Sequence, residues 1–183
     1  MLIFVFALAA ALLAWAIVAY NRLVRLRNQV KAGWSDIDVQ LMRRHDLVPR
    51  LVEAVRAYAG HERELLERVT ALRAEAVATT SPAQLAVVEE RLAEAAGRVM
   101  LLHEAYPDLK ADALFLQLQR DLVDVEDHLQ YARRFYNGAV RAPNDGVQRV
   151  PDGVVARLAG FGEAEYFHAP AGADVAPAVE MSP

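Results

Sequence analysis

The sequence predicts an all-α protein, an N-terminal transmembrane helix followed by an antiparallel four-helix bundle. Three observations lead there. The opening stretch "MLIFVFALAAALLAWAIVAY" contains no charged side chain. Beyond it, apolar residues recur at alternating spacings of three and four, the period of a helical seam. Clusters of proline, glycine and polar residues then interrupt that seam at intervals suited to helices of a few turns each.

The first element, over 1–20, is long enough for membrane crossing, since about 20 helical residues at roughly 1.5 Å each match a hydrocarbon core of roughly 30 Å. A cleaved signal peptide normally carries basic residues ahead of a shorter apolar core. Here none precedes the run, and it continues through Ile17 and Val18 beyond the "AWA" that could pass for a cleavage site, so the segment is expected to be retained. Lipid attachment through a cysteine is excluded, because the chain has none. Basic residues gather on the C-terminal flank, at Arg22, Arg25, Arg27 and Lys31. Such asymmetry places the flank in the cytoplasm. The expectation is a single-pass protein of the inner membrane, with its N-terminus outside and residues 21–168 forming a cytoplasmic bundle domain. The same four side chains could also attract anionic lipid.

The seam continues through Val30, Trp34, Ile37 and Leu41, then Val48, Leu51, Val55 and Tyr58, then Leu65, Val69, Leu72 and Ala76. Pro49 falls inside it. In a helix interior a proline removes one backbone hydrogen bond and costs about 3 kcal/mol, whereas in a first turn it costs far less. With Asp46 as a cap, Pro49 would sit in such a first turn. A single rod over 21–78 would also be about 87 Å long, well beyond the reach of the later helices. These considerations predict two helices, about 21–45 and 47–78. A kinked single helix stays open at this point, because the three-four spacing keeps its phase through Arg44, Val48 and Leu51.

"TTSPAQ" then offers Ser81 as an N-cap, Pro82 at the first helical position and Gln84 three residues after the cap. A helix of about 82–106 follows, with Leu85, Val88, Leu92, Ala95, Val99 and Leu102 as its seam. The next helix, about 111–141, carries Phe115, Leu118, Leu122, Val125, Leu129, Ala132 and Tyr136, and "APNDG" is expected to end it. A short helix at about 151–159 precedes an extended piece whose Phe161, Tyr166 and Phe167 are expected to dock on the bundle. The Pro-, Ala- and Gly-rich tail over 169–183 has no period and is expected to be disordered.

Three stretches together, "YNRLVRLRNQVKAGWSDIDVQLMRRHDLVPRLVEAVRAYAGHE", "EAYPDLKADALFLQLQRDLVDVEDHLQYARRFYNGAV" and "VPDGVVARLAGFGEAEYF", resemble the LemA family of bacterial membrane proteins. The resemblance covers roughly residues 20–167. It implies one N-terminal membrane helix and an antiparallel four-helix bundle, in agreement with a break near Pro49. It also implies a membrane-bound structural or assembly role, the family having no generally assigned enzymatic activity. Two stretches depart from the family pattern: "VRAPNDGV" stands where a second "YN" is expected, and "AGFG" where an aromatic often precedes the glycine.

Chemistry-bearing patterns are sparse. Five histidines stand at 45, 61, 103, 128 and 168, but the residues three before the first four are Met42, Tyr58, Met100 and Val125, not the glutamates of a diiron bundle. "HERE" at 61–64 stops short of a zinc-protease motif, and neither a nucleophile arrangement nor a phosphate loop is evident. No metal, cofactor or catalysis is therefore expected. The chain is acidic overall, with a formal charge of -4, which disfavours nucleic acid as a partner. Asp38, Arg44, Glu62, Arg133 and Asn137 fall on or beside the seams. They are the candidate polar packing layer, able to fix helix register at some cost in stability. Otherwise they would be a solvated bundle edge.

The function expected is a non-catalytic scaffold or interaction protein, its partners the bilayer and an unidentified membrane or cytoplasmic protein. Self-association is allowed by the alanines of the span. The alternatives are an extracytoplasmic ligand-sensing domain and, further off, a metal-dependent hydrolase.

Overall fold

The computed structural model describes residues 1–167 and is all-α, without strands among them. The expectation of a disordered tail, and His168, lie outside the described residues. Six α-helices follow one another: α1 (Leu2–Arg56), α2 (Arg63–Ala78), α3 (Pro82–Leu101), α4 (Pro107–Lys110), α5 (Ala113–Gln148) and α6 (Asp152–Leu158), with a 3-10 turn at Leu102–Glu104. The all-α bundle with a long apolar N-terminal helix is as predicted; its joints are not all where the sequence put them.

The first correction concerns Pro49. No break occurs at 45–47, and α1 continues for 55 residues with Pro49 inside it. Pro49 lies on the exposed side, while Arg44, Val48, Leu51, Val52 and Val55 keep the buried side in phase. The proline deprives the His45 carbonyl of its helical donor, and Arg73 Nε of α2 donates to that carbonyl at 3.3 Å instead. The chain reverses a few residues later, at "AYAGHE". There the Val55 carbonyl accepts from the backbone of Tyr58 at 3.0 Å and of Ala59 at 2.8 Å, and Ala59 is fully buried beneath the turn.

Two further boundaries move. The expected helix over 82–106 ends at Leu101 and passes through the 3-10 turn into α4. "APNDG" does not end the helix expected over 111–141: α5 runs through Pro143 to Gln148, with Pro143 and Asn144 buried. The reason is tertiary, since this turn of α5 is covered by the C-terminal segment and Asn144 is engaged by it.

Length explains the architecture. Beyond Tyr20, α1 extends about 54 Å, and α5, with its 36 residues, is about as long. They pair antiparallel along that whole distance: Tyr58 donates to Asp112 at one end, Trp34 meets Tyr136 edge-on at 5.4 Å further along, and Gly146 packs on Leu23 at the other end. The shorter α2 and α3 pack on each other and cover only the half away from the span. Near the span, α6 and the extended residues after it take their place.

The cap expected at Ser81 forms, the one expected at Asp46 does not, and Asp112 supplies another. The Ser81 hydroxyl accepts from Gln84 N with Pro82 at the first turn, and the Asp112 carboxylate accepts from Phe115 N at 2.7 Å to start α5. One apolar core unites Ile37, Leu41, Val48, Leu51, Leu92, Phe115, Val125, Leu129 and Phe167. The N-terminal part of α1 is the one helix, among the described residues, long and apolar enough to cross a membrane, and its side chains are almost all exposed.

Candidate functional site

Midway along the far half, a charged layer interrupts the core. Arg44 is only 3 % exposed and Glu89 not at all. Arg44 Nη1 donates to the Glu89 carboxylate at 3.0 Å and to its backbone carbonyl at 3.3 Å, while Nη2 reaches Glu126 on α5. His45 Nε2 lies 2.5 Å from the other Glu89 oxygen. Three helices, α1, α3 and α5, thereby meet through one guanidinium and two carboxylates. A buried charge is tolerable only when its hydrogen-bonding capacity is met in this way.

Glu89 and Glu126 are absent from the sequence-derived candidates. The main seam of α3 skips Glu89, but a second row, Ala86, Glu89 and Ala96, is also buried. The available signal was Glu89 in a row with small residues, Ala86 three positions before it and Ala96 seven after. Of the candidates themselves, Asp38 is exposed and Glu62 lies at the far turn, where Tyr106 Oη donates to it at 3.4 Å. Arg44 alone belongs to the paired layer.

Arg133 and Asn137 serve a different purpose. Residues 160–167 run as a strap antiparallel to α5. Asn144 donates from Nδ2 to the Ala164 carbonyl at 3.0 Å and accepts from Ala164 N at 2.8 Å. Asn137 repeats the arrangement with Phe167, at 2.6 and 2.9 Å. Seven helical residues rise about 10.5 Å, and three extended residues span about 10 Å, so the two ladders share one register. Beside Asn137, Tyr136 Oη donates to the carbonyl of Glu165, which lies between the two anchored strap residues, at 2.8 Å. Burial, and then the Glu165 charge, raise the Tyr136 pKa, so the phenol stays a donor.

Phe167 is completely buried, edge-on to Trp34 at 5.8 Å, with the Arg133 guanidinium 5.1 Å over its ring. Arg133 Nε and Nη2 find no hydrogen-bond partner among the described residues. Desolvation, then the like charge of Arg44, lower its pKa, opposed by Glu126, Glu89 and Glu90. The strap also touches the far half: Ser81 Oγ donates to the Glu165 carboxylate at 2.8 Å, at the N-terminus of α3, where negative charge is favoured. Tyr166, by contrast, is exposed.

The basic flank stays in solvent, with Arg22, Arg25, Arg27 and Lys31 all exposed. Arg22 lies 3.5 Å from Asp152 of α6, and Arg27 covers the Phe161 ring at 5.0 Å. No cluster of three or more metal-ligating side chains occurs among the described residues.

On the outer face where α1 meets α5, Asp36, Val39, Gln40, His128, Tyr131, Ala132 and Phe135 line an open groove. Tyr131 is 69 % and Phe135 57 % exposed. The helices approach closely beside it, because Gly33 leaves room: a Cβ there would lie 3.2 Å from both the Phe135 ring and the Tyr136 backbone.

A profile of the LemA family matches residues 33–181. The chain is 24% identical over 184 residues to magnetosome protein MamQ of Magnetospirillum gryphiswaldense, covering 86% of this chain and 68% of that one. It is 25% identical over 183 residues to magnetosome protein MamQ 2 of Paramagnetospirillum magneticum, covering 86% and 67%. Over 121 residues it is 29% identical to protein LemA of Metamycoplasma hominis, covering 64% and 54%. The profile takes in α1 from the Gly33 crossing onward, the whole helical bundle and the strap that closes it, and by that match the chain belongs to the LemA family.

Proposed function

We propose that this protein is a non-catalytic scaffold, anchored by residues 1–20 with the N-terminus outside and the bundle in the cytoplasm, which presents its α1–α5 face to another protein. The observation that carries the reading is the groove beside Gly33, where two large aromatics stand in solvent on rigid helices. Tyrosine and phenylalanine are enriched at the centres of protein interfaces, and helices hold them at little further entropic cost. Support of a second kind comes from the charged groups of the interior. Arg44 and Glu89 are spent on each other and covered from solvent, an arrangement that holds helices in register.

The test is crosslinked affinity capture of the full-length protein from native membranes, beside a Tyr131→Ala/Phe135→Ala variant and a form lacking residues 21–168 but keeping the span. A partner recovered with the intact protein and lost from both others supports the reading. Recovery of nothing but the protein itself, with crosslinking controls working, sinks it. Orientation is read separately, by an impermeant thiol reagent on single cysteines at Leu2 and at Leu114, in intact and permeabilised cells. The Leu2 site should react in intact cells and the Leu114 site only after permeabilisation.

A further inference from the structure

The apolar run of α1 is exposed along its length, with one exception near its end. Ala16 is half-buried and Ala19 buried, and Leu23 follows one turn later on the same side. The element that packs on α1 here is α6, alongside the end of α5. Its start is tied to Arg22 through Asp152, and its C-terminal turn lies beside Leu23, with Phe161 between Tyr20, whose ring it meets edge-on at 5.7 Å, and Arg27, whose guanidinium covers it at 5.0 Å.

This placement is enforced locally. Gly153 packs so closely on the end of α5 that a Cβ would lie 2.5 Å from the Val147 carbonyl oxygen. At the other end Gly160, at φ 70, closes the helix, with Gly160 N donating to the Arg157 carbonyl at 3.3 Å and Phe161 N to the Ala156 carbonyl at 2.9 Å. That is the Schellman pattern, which turns the chain back towards α5. Gly153 and Ala156 face inward, whereas Val154 and Leu158, one turn apart, face outward at 53 % and 86 % exposure. Val150, in the turn before α6, is 83 % exposed.

If residues 1–20 span the hydrocarbon, Ala19 and Arg22 bracket its boundary within about 4.5 Å. The headgroup layer is only about 5–8 Å thick on each side, less than the roughly 10–12 Å width of a helix with its side chains. A helix whose start is tied to Arg22 therefore meets the layer.

We propose that α6 is a second, interfacial membrane contact, with Val150, Val154 and Leu158 set into the boundary between headgroups and acyl chains of a phospholipid bilayer. Arg22, Arg25 about one turn further on, and Arg157 on α6 itself are exposed and suited to lipid phosphates. Together with the span it fixes the height and tilt of the bundle, which a single helix would leave free to lean. The inference rests on the membrane-spanning reading of α1.

Because the chain lacks cysteine, single nitroxide labels can be placed at will on the full-length protein. Leu8→Cys reads the span, Val154→Cys and Leu158→Cys read α6, and Leu114→Cys, exposed at the far end, reads bulk water. The proteins are reconstituted in phosphatidylcholine–phosphatidylglycerol vesicles, and collision with oxygen and with a water-soluble nickel chelate is measured by electron paramagnetic resonance. Oxygen-to-nickel ratios at 154 and 158 should exceed that at 114 by about fivefold or more, with 8 higher still. A water-like ratio at 154 and 158 with a lipid-like label at 8 overturns the interfacial contact and leaves the span intact. A water-like label at 8 removes the spanning reading, and this inference with it. Shielding of 154 and 158 from both reagents would mean that protein covers them, and would also overturn it.

Discussion

Arg44 shows why a buried charge has to be judged with its partners. Its guanidinium ties the buried Glu89 to the partly exposed Glu126, and the loss of either Arg44 or Glu89 would strand the other in the core. Arg44→Met is expected to lower unfolding free energy by about 3–5 kcal/mol, with Arg44→Met/Glu89→Leu recovering a large part of that, as read by urea denaturation in detergent. A double variant no better than the single one would contradict this account. Asp112 supplies a pH signature. Its carboxylate accepts from Phe115 N and from Tyr58 Oη, in that order of effect, and its pKa is lowered. A depressed folded-state pKa contributes stability above the unfolded value, which is lost as pH falls through the folded one. Asp112→Asn, which keeps a capping side chain but cannot titrate, should therefore be less stable than the native protein at neutral pH. The gap should close on acidification into the carboxylate range, measured as thermal midpoints from pH 7 downward. The Arg44 position was legible as a charge in the seam; its carboxylate partners were not, because they come from helices whose rotation the seam spacing leaves free by a fraction of a turn.

Among the elements, α1 is the one whose boundary depended on context. The intrinsic cost of Pro49 argued for a break, and the phase of the buried residues argued against one. Phase prevailed because the exposed setting of the proline avoids any packing clash, and because Arg73 returns a hydrogen bond to the His45 carbonyl. Pro49→Ala should raise stability by about 1–2 kcal/mol, less than the full helix-interior cost because proline also restricts the unfolded chain. In that variant the carbonyl regains its helical donor, so Arg73→Met should cost about 1 kcal/mol in the native background and little in the Pro49→Ala background, as a double-mutant cycle reads it. Additive costs would mean that Arg73 does not compensate for the proline.

For the whole molecule, the consequence is a bundle in two unequal halves. The far half has four helices, while near the span α1 and α5 are closed by α6 and the strap. Asn137 and Asn144 hold that closure through four hydrogen bonds to backbone that would otherwise be buried and unpaired. Asn137→Ala and Asn144→Ala should each cost about 1–3 kcal/mol. Their clearer readout is local: amide exchange at 164 and 167 should accelerate severalfold while core amides of α1 and α3 keep their protection. Uniform acceleration throughout would mean that the strap and the bundle unfold as one.

By itself the sequence determined the helical class, the long apolar N-terminal helix, the seams and the cap at Ser81. These depend on periodicity and on contacts within four residues, which a single chain displays directly. Only the tertiary structure decided where α1 and α5 end, which carboxylates Arg44 meets and how Asn137 and Asn144 seize the strap. In each case the outcome turns on a hydrogen bond to a residue 20 to 82 positions away. Local propensity sets the cost of a proline or a buried charge, and the distant partner that offsets it is visible only when the chain has folded.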